Sequence, residues 1–313
     1  MIAANLLDPL NSTRLISLDR FFNEMIELHN LKKFPKVLLL NGKKGIGKFT
    51  LVMHFLNYIF TKNEKVSYNL KDKTINTNSM FYKQLLNKTN QDVLLIKAEE
   101  NKNIKIEDIR NLKSILSRSS ITNNPRFVVI DEVEFINENS VNALLKSLEE
   151  PSDNNFFILI NNQQKELIKT ISSRCLKSNI YLNSKEIKNI INYLIDKNKV
   201  ENLIDINSNL TPGLFIQFNE IYSKYNVEKN DNIQIKTTKL LNGYKKNKDK
   251  ILINLILFLI EDHFLKLIKE NETNLDLLLE IKSDINKNIN DFIFYNLNIN
   301  SVLNSINMKL NSA

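Results

Sequence analysis

An α/β core built on a parallel sheet, continued by a region of helices alone, is the fold class this sequence predicts, and three observations carry it. Short apolar runs alternate with helical spacings of apolar residues through the first half of the chain. Three of the chain's five glycines, Gly42, Gly45 and Gly47, sit in one loop between an apolar run and a helical pattern. After Tyr181 the strand-like runs stop and only helical spacings remain. Buried runs separated by helices are how parallel strands with both faces covered read in sequence.

Each element follows in order. Lys36–Leu40 (KVLLL) reads as a buried strand ending at the glycine loop. Phe49–Phe60 has the spacing of a helix, with Leu51, Val52, Phe55, Leu56 and Ile59 on its apolar side. Asn57–Asn90 is rich in Lys, Asn and Thr, and its weak periodicity predicts a surface excursion. Asp92–Ile96 predicts a second strand, and Ile106–Leu116 a helix with Ile109, Leu112 and Leu116 on one face. Arg126–Ile130 (RFVVI) is a third strand, ended by Asp131 and Glu132. Val141–Leu148 is a helix closed by Glu149, Glu150 and Pro151, and Phe156–Ile160 a fourth strand. Helices are then expected over Ser184–Ile195, Gly213–Tyr222, Asp249–Lys269, Asp276–Ile289 and Asp291–Ile306. No repeat of fixed period is visible.

At 313 residues the chain exceeds one typical domain. Its 42% hydrophobic and 25% charged residues suit a soluble globular protein. The net charge of +8 permits an acidic or nucleic-acid partner, but the lysines are scattered rather than gathered in a stripe. The longest apolar run, Ile251–Ile260, is broken by Asn254 and followed by Glu261 and Asp262, so no membrane span is expected. Met1–Leu10 lacks a basic segment leading into an apolar one, which argues against an export signal and for the cytoplasm. Cys175 is the single cysteine, so neither an internal disulfide nor a cysteine-cluster zinc site is expected, and no metal-ligand set is assigned.

Gly42-Lys43-Lys44-Gly45-Ile46-Gly47-Lys48 matches G-x-x-x-x-G-K in the strand–loop–helix setting that a phosphate loop requires. The glycines let backbone N–H groups turn toward phosphate oxygens, the helix adds its N-terminal partial charge, and Lys48 supplies a mobile cation. The next residue is Ser or Thr in a complete loop, where its hydroxyl ligates magnesium. Here it is Phe49. Thr50 lies one step on, turned by about 100° around the helix. Asp131 and Glu132 end a buried strand, where open α/β sheets place their ligands. Asp131 suits a magnesium contact, and Glu132 suits activation of a water.

FVVIDEVEFINENSVNALLKSLEEPSDNNFFILINN, followed by ISSRC, closely resembles the clamp-loader branch of AAA+ proteins. The resemblance runs from about Val37 to Cys175 and continues weakly through NLTPGLF (Asn209–Phe215) and NLNINSVLNSINMKL. It implies an AAA+ P-loop core over residues 1–178, a small helical lid over 179–229 and an all-α collar over 230–313 that oligomerises. It further implies a hetero-pentamer with gamma or tau and delta subunits that places a ring-shaped sliding clamp on primer–template DNA. ATP with magnesium would be the ligand of Gly42, Gly45, Gly47, Lys48, Thr50, Asp131 and Asn161, with Asn162 an alternative at the sensor position. Arg174, within Ser173-Arg174-Cys175, would act as an arginine finger on a neighbouring subunit's ATP. Its permanent, planar charge suits phosphate oxygens. Glu132 would be the water-activating base or its remnant. Three departures bear on this: Phe49 replaces the hydroxyl, Leu214 stands where motor subunits carry a sensing arginine, and Asn57–Asn90 lacks the cysteines of a zinc module. Phe49 and Leu214 favour a finger donor with little hydrolysis of its own. The alternatives are a motor subunit in which Thr50 or water replaces the ligand, and a remodelling ATPase outside replication.

Overall fold

A computed structural model describes residues 9–98, 103–118, 124–270 and 275–311. Within them the apolar runs become β1 (Val37–Asn41), β2 (Val93–Lys97), β3 (Arg126–Asp131), β4 (Asn155–Asn161) and an additional β5 (Leu176–Asn179). These strands pair in parallel in the order β2-β3-β4-β1-β5. Successive side chains of a strand point to opposite faces. Leu38, Leu40, Val129, Ile158 and Ile160 therefore meet one apolar cluster. Val37, Leu39, Val128, Ile130, Phe157 and Leu159 meet the other.

The first face is covered by α1 (Asp19–Asn30), α2 (Lys48–Thr61) and α3 (Met80–Leu86), through residues such as Phe22, Leu51, Phe55 and Phe81. The second is covered by α4 (Ile106–Leu116) and α5 (Glu138–Glu149), through Ile109, Leu112, Leu144 and Leu148. Asn137 caps α5, its side chain accepting the Ser140 N–H at 2.8 Å.

Two expectations need correction, and one strand is added to those expected. Asn57–Asn90 is not merely a surface excursion: α2 continues to Thr61, and Tyr68, Ile75, Phe81, Tyr82 and Leu85 are buried. Those side chains are too sparse to show a period, yet each anchors the loop to the first cluster. β5 escaped the reading because its residues, Leu-Lys-Ser-Asn, are mostly exposed. Backbone pairing with β1, Leu38 to Leu176 through Asn41 to Asn179, makes it a strand. The expected break after Ile289 does not occur. Ile289 and Phe292 are both buried one helical turn apart, so α11 (Leu275–Tyr295) runs through Asn290 and Asp291.

Two compact units emerge, one of Met1–Asn198 with Leu210–Leu214, the other of Lys199–Asn209 with Phe215–Ala313. The first holds the sheet, α6 (Lys169–Ser172) and α7 (Ser184–Asn198). α8 spans Pro212–Lys224. The second contains α9 (Ile233–Asn247), α10 (Lys250–Glu270), α11 and α12 (Ile299–Asn311). Their packing closes a ring, α9 on α10 and α12, α11 on α10 and α12, around buried Leu240, Leu255, Phe264, Ile285 and Ile306. No described helix is long and apolar enough to cross a membrane.

Candidate functional site

The parallel sheet brings the C-terminal ends of β1, β3 and β4 side by side, where doubly covered sheets build their sites. The loop after β1 is fastened first by its own backbone. The Gly42 N–H donates to the Asn161 carbonyl at 3.2 Å, and Gly45 and Gly47 adopt φ of 82° and 95°. A side chain at Gly45 is excluded twice over, by that φ and by the Thr211 hydroxyl, which lies 2.6 Å from where a Cβ would stand. Thr211 Oγ1 donates to the Lys44 carbonyl at 2.6 Å, and the Gly213 N–H to the Gly45 carbonyl at 2.8 Å. Sequence reasoning missed both of these ties, since 167 residues separate Thr211 from Lys44.

Lys48 is 2% exposed, and its ammonium donates to the Gly42 and Lys43 carbonyls at 2.7 and 2.8 Å. Burial lowers its pKa to about 8, with Asp131 and Glu134 pulling the other way. Phe49 packs against the first apolar cluster, and Thr50, half-buried, follows it on α2. The loop thus keeps the glycine cradle and the cation of a phosphate loop, while an aromatic ring packed on the core stands where a complete loop has its magnesium-ligating hydroxyl.

Asp131 and Glu132 lie beside this loop. Asp131 Oδ1 accepts the Glu132 N–H at 2.9 Å and Asn162 Nδ2 at 3.3 Å, while Lys97 Nζ stands 3.9 Å from the other oxygen. Burial raises the Asp131 pKa, and the Lys97 charge opposes it. Glu132 has φ of 57°. Its carboxylate accepts Lys44 Nζ at 2.9 Å, so the group suited to activating water is paired with the loop's own lysine. Asn161 donates to Asn41 Oδ1 at 2.8 Å, which leaves its neighbour Asn162 as the amide facing Asp131. Glu134, unassigned from sequence, accepts the Asn162 N–H with both oxygens at 3.1 Å. The acidic run Asp-Glu-Val-Glu was its one visible signal.

Arg174 is not brought to this cluster. Among the described residues, its hydrogen bonds go to Glu149 Oε1 (from Nε, 2.6 Å), the Thr170 carbonyl (from Nη1, 2.8 Å) and Ser173 Oγ (3.3 Å). It stands partly exposed beyond the end of α6.

A family model described as DNA polymerase III, delta subunit, matches residues 18–184, more than half of the chain. The DNA polymerase III subunit delta' of Buchnera aphidicola subsp. Schizaphis graminum is 29% identical over 209 residues, covering 66% of this chain and 60% of that protein. The corresponding subunit of Pseudomonas aeruginosa is 30% identical over 140 residues, 44% of this chain and 41% of that protein. The DNA polymerase III subunit gamma of Buchnera aphidicola subsp. Acyrthosiphon pisum is 29% identical over 173 residues, 55% of this chain and 46% of that protein. The matched regions span three fifths or less of each relative. The family match spans β1 to β5, with the phosphate loop, the acidic pair and Ser173-Arg174-Cys175 inside it. The chain belongs to the DNA polymerase III delta subunit family.

Proposed function

We propose that this chain is the delta'-type subunit of a DNA polymerase III clamp loader and acts as a finger donor rather than a motor. In this reading residues 1–178 form the AAA+ core, 179–229 a lid and 230–313 a collar. Its partners are gamma or tau and delta in a hetero-pentamer, the sliding clamp and primer–template DNA, all in the cytoplasm. The observation that carries it is the contrast between two sites. The chain's own loop has Phe49 at the hydroxyl position, whereas Arg174 presents a partly exposed guanidinium just past the end of α6, paired with Glu149. A charge of that kind stabilises phosphate oxygens during transfer. Loop residues Gly42, Gly45, Gly47 and Lys48 then serve as an inherited phosphate cradle, and Asp131, Asn161 and Thr50 as its remnants.

The test is the ATPase rate of the loader assembled with Arg174→Ala. Turnover at the neighbouring site should fall on the order of a hundredfold or more, with assembly by size-exclusion chromatography unchanged. An unchanged rate refutes the finger assignment. Similarity to a gamma subunit supports the motor as second reading. Magnesium-dependent turnover by the purified chain, abolished in Lys48→Ala, would establish it.

A further inference from the structure

α6 is only four residues long, Lys169–Ser172, and three following side chains tie down its end. Ser173 Oγ donates to the Thr170 carbonyl at 3.2 Å, and Cys175 Sγ to the Ile171 carbonyl at 3.1 Å. Arg174 Nη1 adds its bond to Thr170. The other side of the guanidinium is gripped by one carboxylate oxygen: Nε and Nη2 both contact Glu149 Oε1. Two sides of the planar fork are therefore held, by a helix end and by a carboxylate, instead of sweeping through solvent on a long flexible stem.

Glu149 is itself well placed to hold something still. It is the last residue of α5, whose Leu144 and Leu148 are buried in the second cluster, and Pro151, two residues on, keeps that helix from continuing. The Glu149 and Arg174 side chains are 46% and 31% exposed, and ion pairs in such positions add little to folding. Orientation of the cation is what the arrangement supplies. A guanidinium that must meet a phosphate in another subunit gains from having its rotamer settled beforehand.

We propose that Glu149 is a positioning residue for Arg174, aiming its guanidinium at the nucleotide phosphates of the adjacent subunit. This rests on the finger reading. The test compares clamp- and DNA-stimulated ATP hydrolysis by loaders assembled with four versions of the full chain: Arg174→Ala, Glu149→Ala, Glu149→Gln and the double alanine variant. Glu149→Ala should lower kcat about tenfold with KM for ATP unchanged. Glu149→Gln, which keeps an oxygen for Nε, should recover part of the loss. The double variant should be no slower than Arg174→Ala, because Glu149 acts only through the arginine. A slow Arg174→Ala beside a wild-type Glu149→Ala overturns this inference alone, as does a double variant slower than Arg174→Ala. A wild-type rate in Arg174→Ala removes the finger and the positioning role together.

Discussion

His54, on the same helix as Lys48, carries a test of how α2 is anchored. Its ring is fully buried, with Nε2 2.8 Å from the Ser12 carbonyl and Nδ1 2.9 Å from the Tyr68 hydroxyl. Burial lowers its pKa from 6.5 to about 4, against the smaller pull of the Ser12 carbonyl. The unfolded chain therefore binds the proton first on acidification, and stability falls as pH drops from about 6.5 toward 4. Through this group alone the chain should lose about 2 kcal/mol between pH 7 and pH 5 in urea unfolding. His54→Gln should shrink that difference; an equal pH dependence in the variant would refute the assignment. The residues that declared themselves in sequence are those whose spacing is local, as in the glycine loop or Ser-Arg-Cys. Lys44 meeting Glu132 across 88 residues, or Arg174 meeting Glu149 across 25, has no local signature.

At the scale of elements, β3 was the clearest reading, and its burial is complete from Arg126 to Asp131. Phe127 contacts the rings of Phe34, Phe55, Phe60 and Phe156 at centroid distances of 6.1, 6.0, 5.9 and 5.2 Å. Phe127→Ala should cost about 3–5 kcal/mol in denaturant unfolding. A loss under about 1 kcal/mol would mean that the cluster collapses around the gap. Helices such as α4 and α7 were readable because one apolar stripe meets one face. α1 also carries a stripe, Phe21, Phe22 and Met25, confined to little more than one helical turn. β5 had none, and its partner strand alone defines it.

For the whole molecule, the collar reading of residues 230–313 makes a prediction about exposed apolar groups. Phe294 and Tyr295, at the end of α11, are 83% and 67% exposed, with ring centroids 5.1 Å apart. Because Phe294 is already in water, Phe294→Asp should leave the melting temperature of the chain unchanged. If this end of α11 meets a neighbouring subunit, the same variant should weaken co-assembly about tenfold or more. Undiminished assembly would place the oligomer contact elsewhere.

By itself the sequence determined the class of the core and the ancestry of the loop, because those rest on local patterns and on motif order. Only the tertiary structure decided which groups Glu132, Lys48 and Arg174 meet. Glu132 is held by Lys44, Lys48 by carbonyls of its own loop, and Arg174 by Glu149. Each of these depends on distances set by the fold, and the depression of the Lys48 pKa depends on burial. A residue's type says which charge it can carry; its neighbours in space decide whether that charge is free to act.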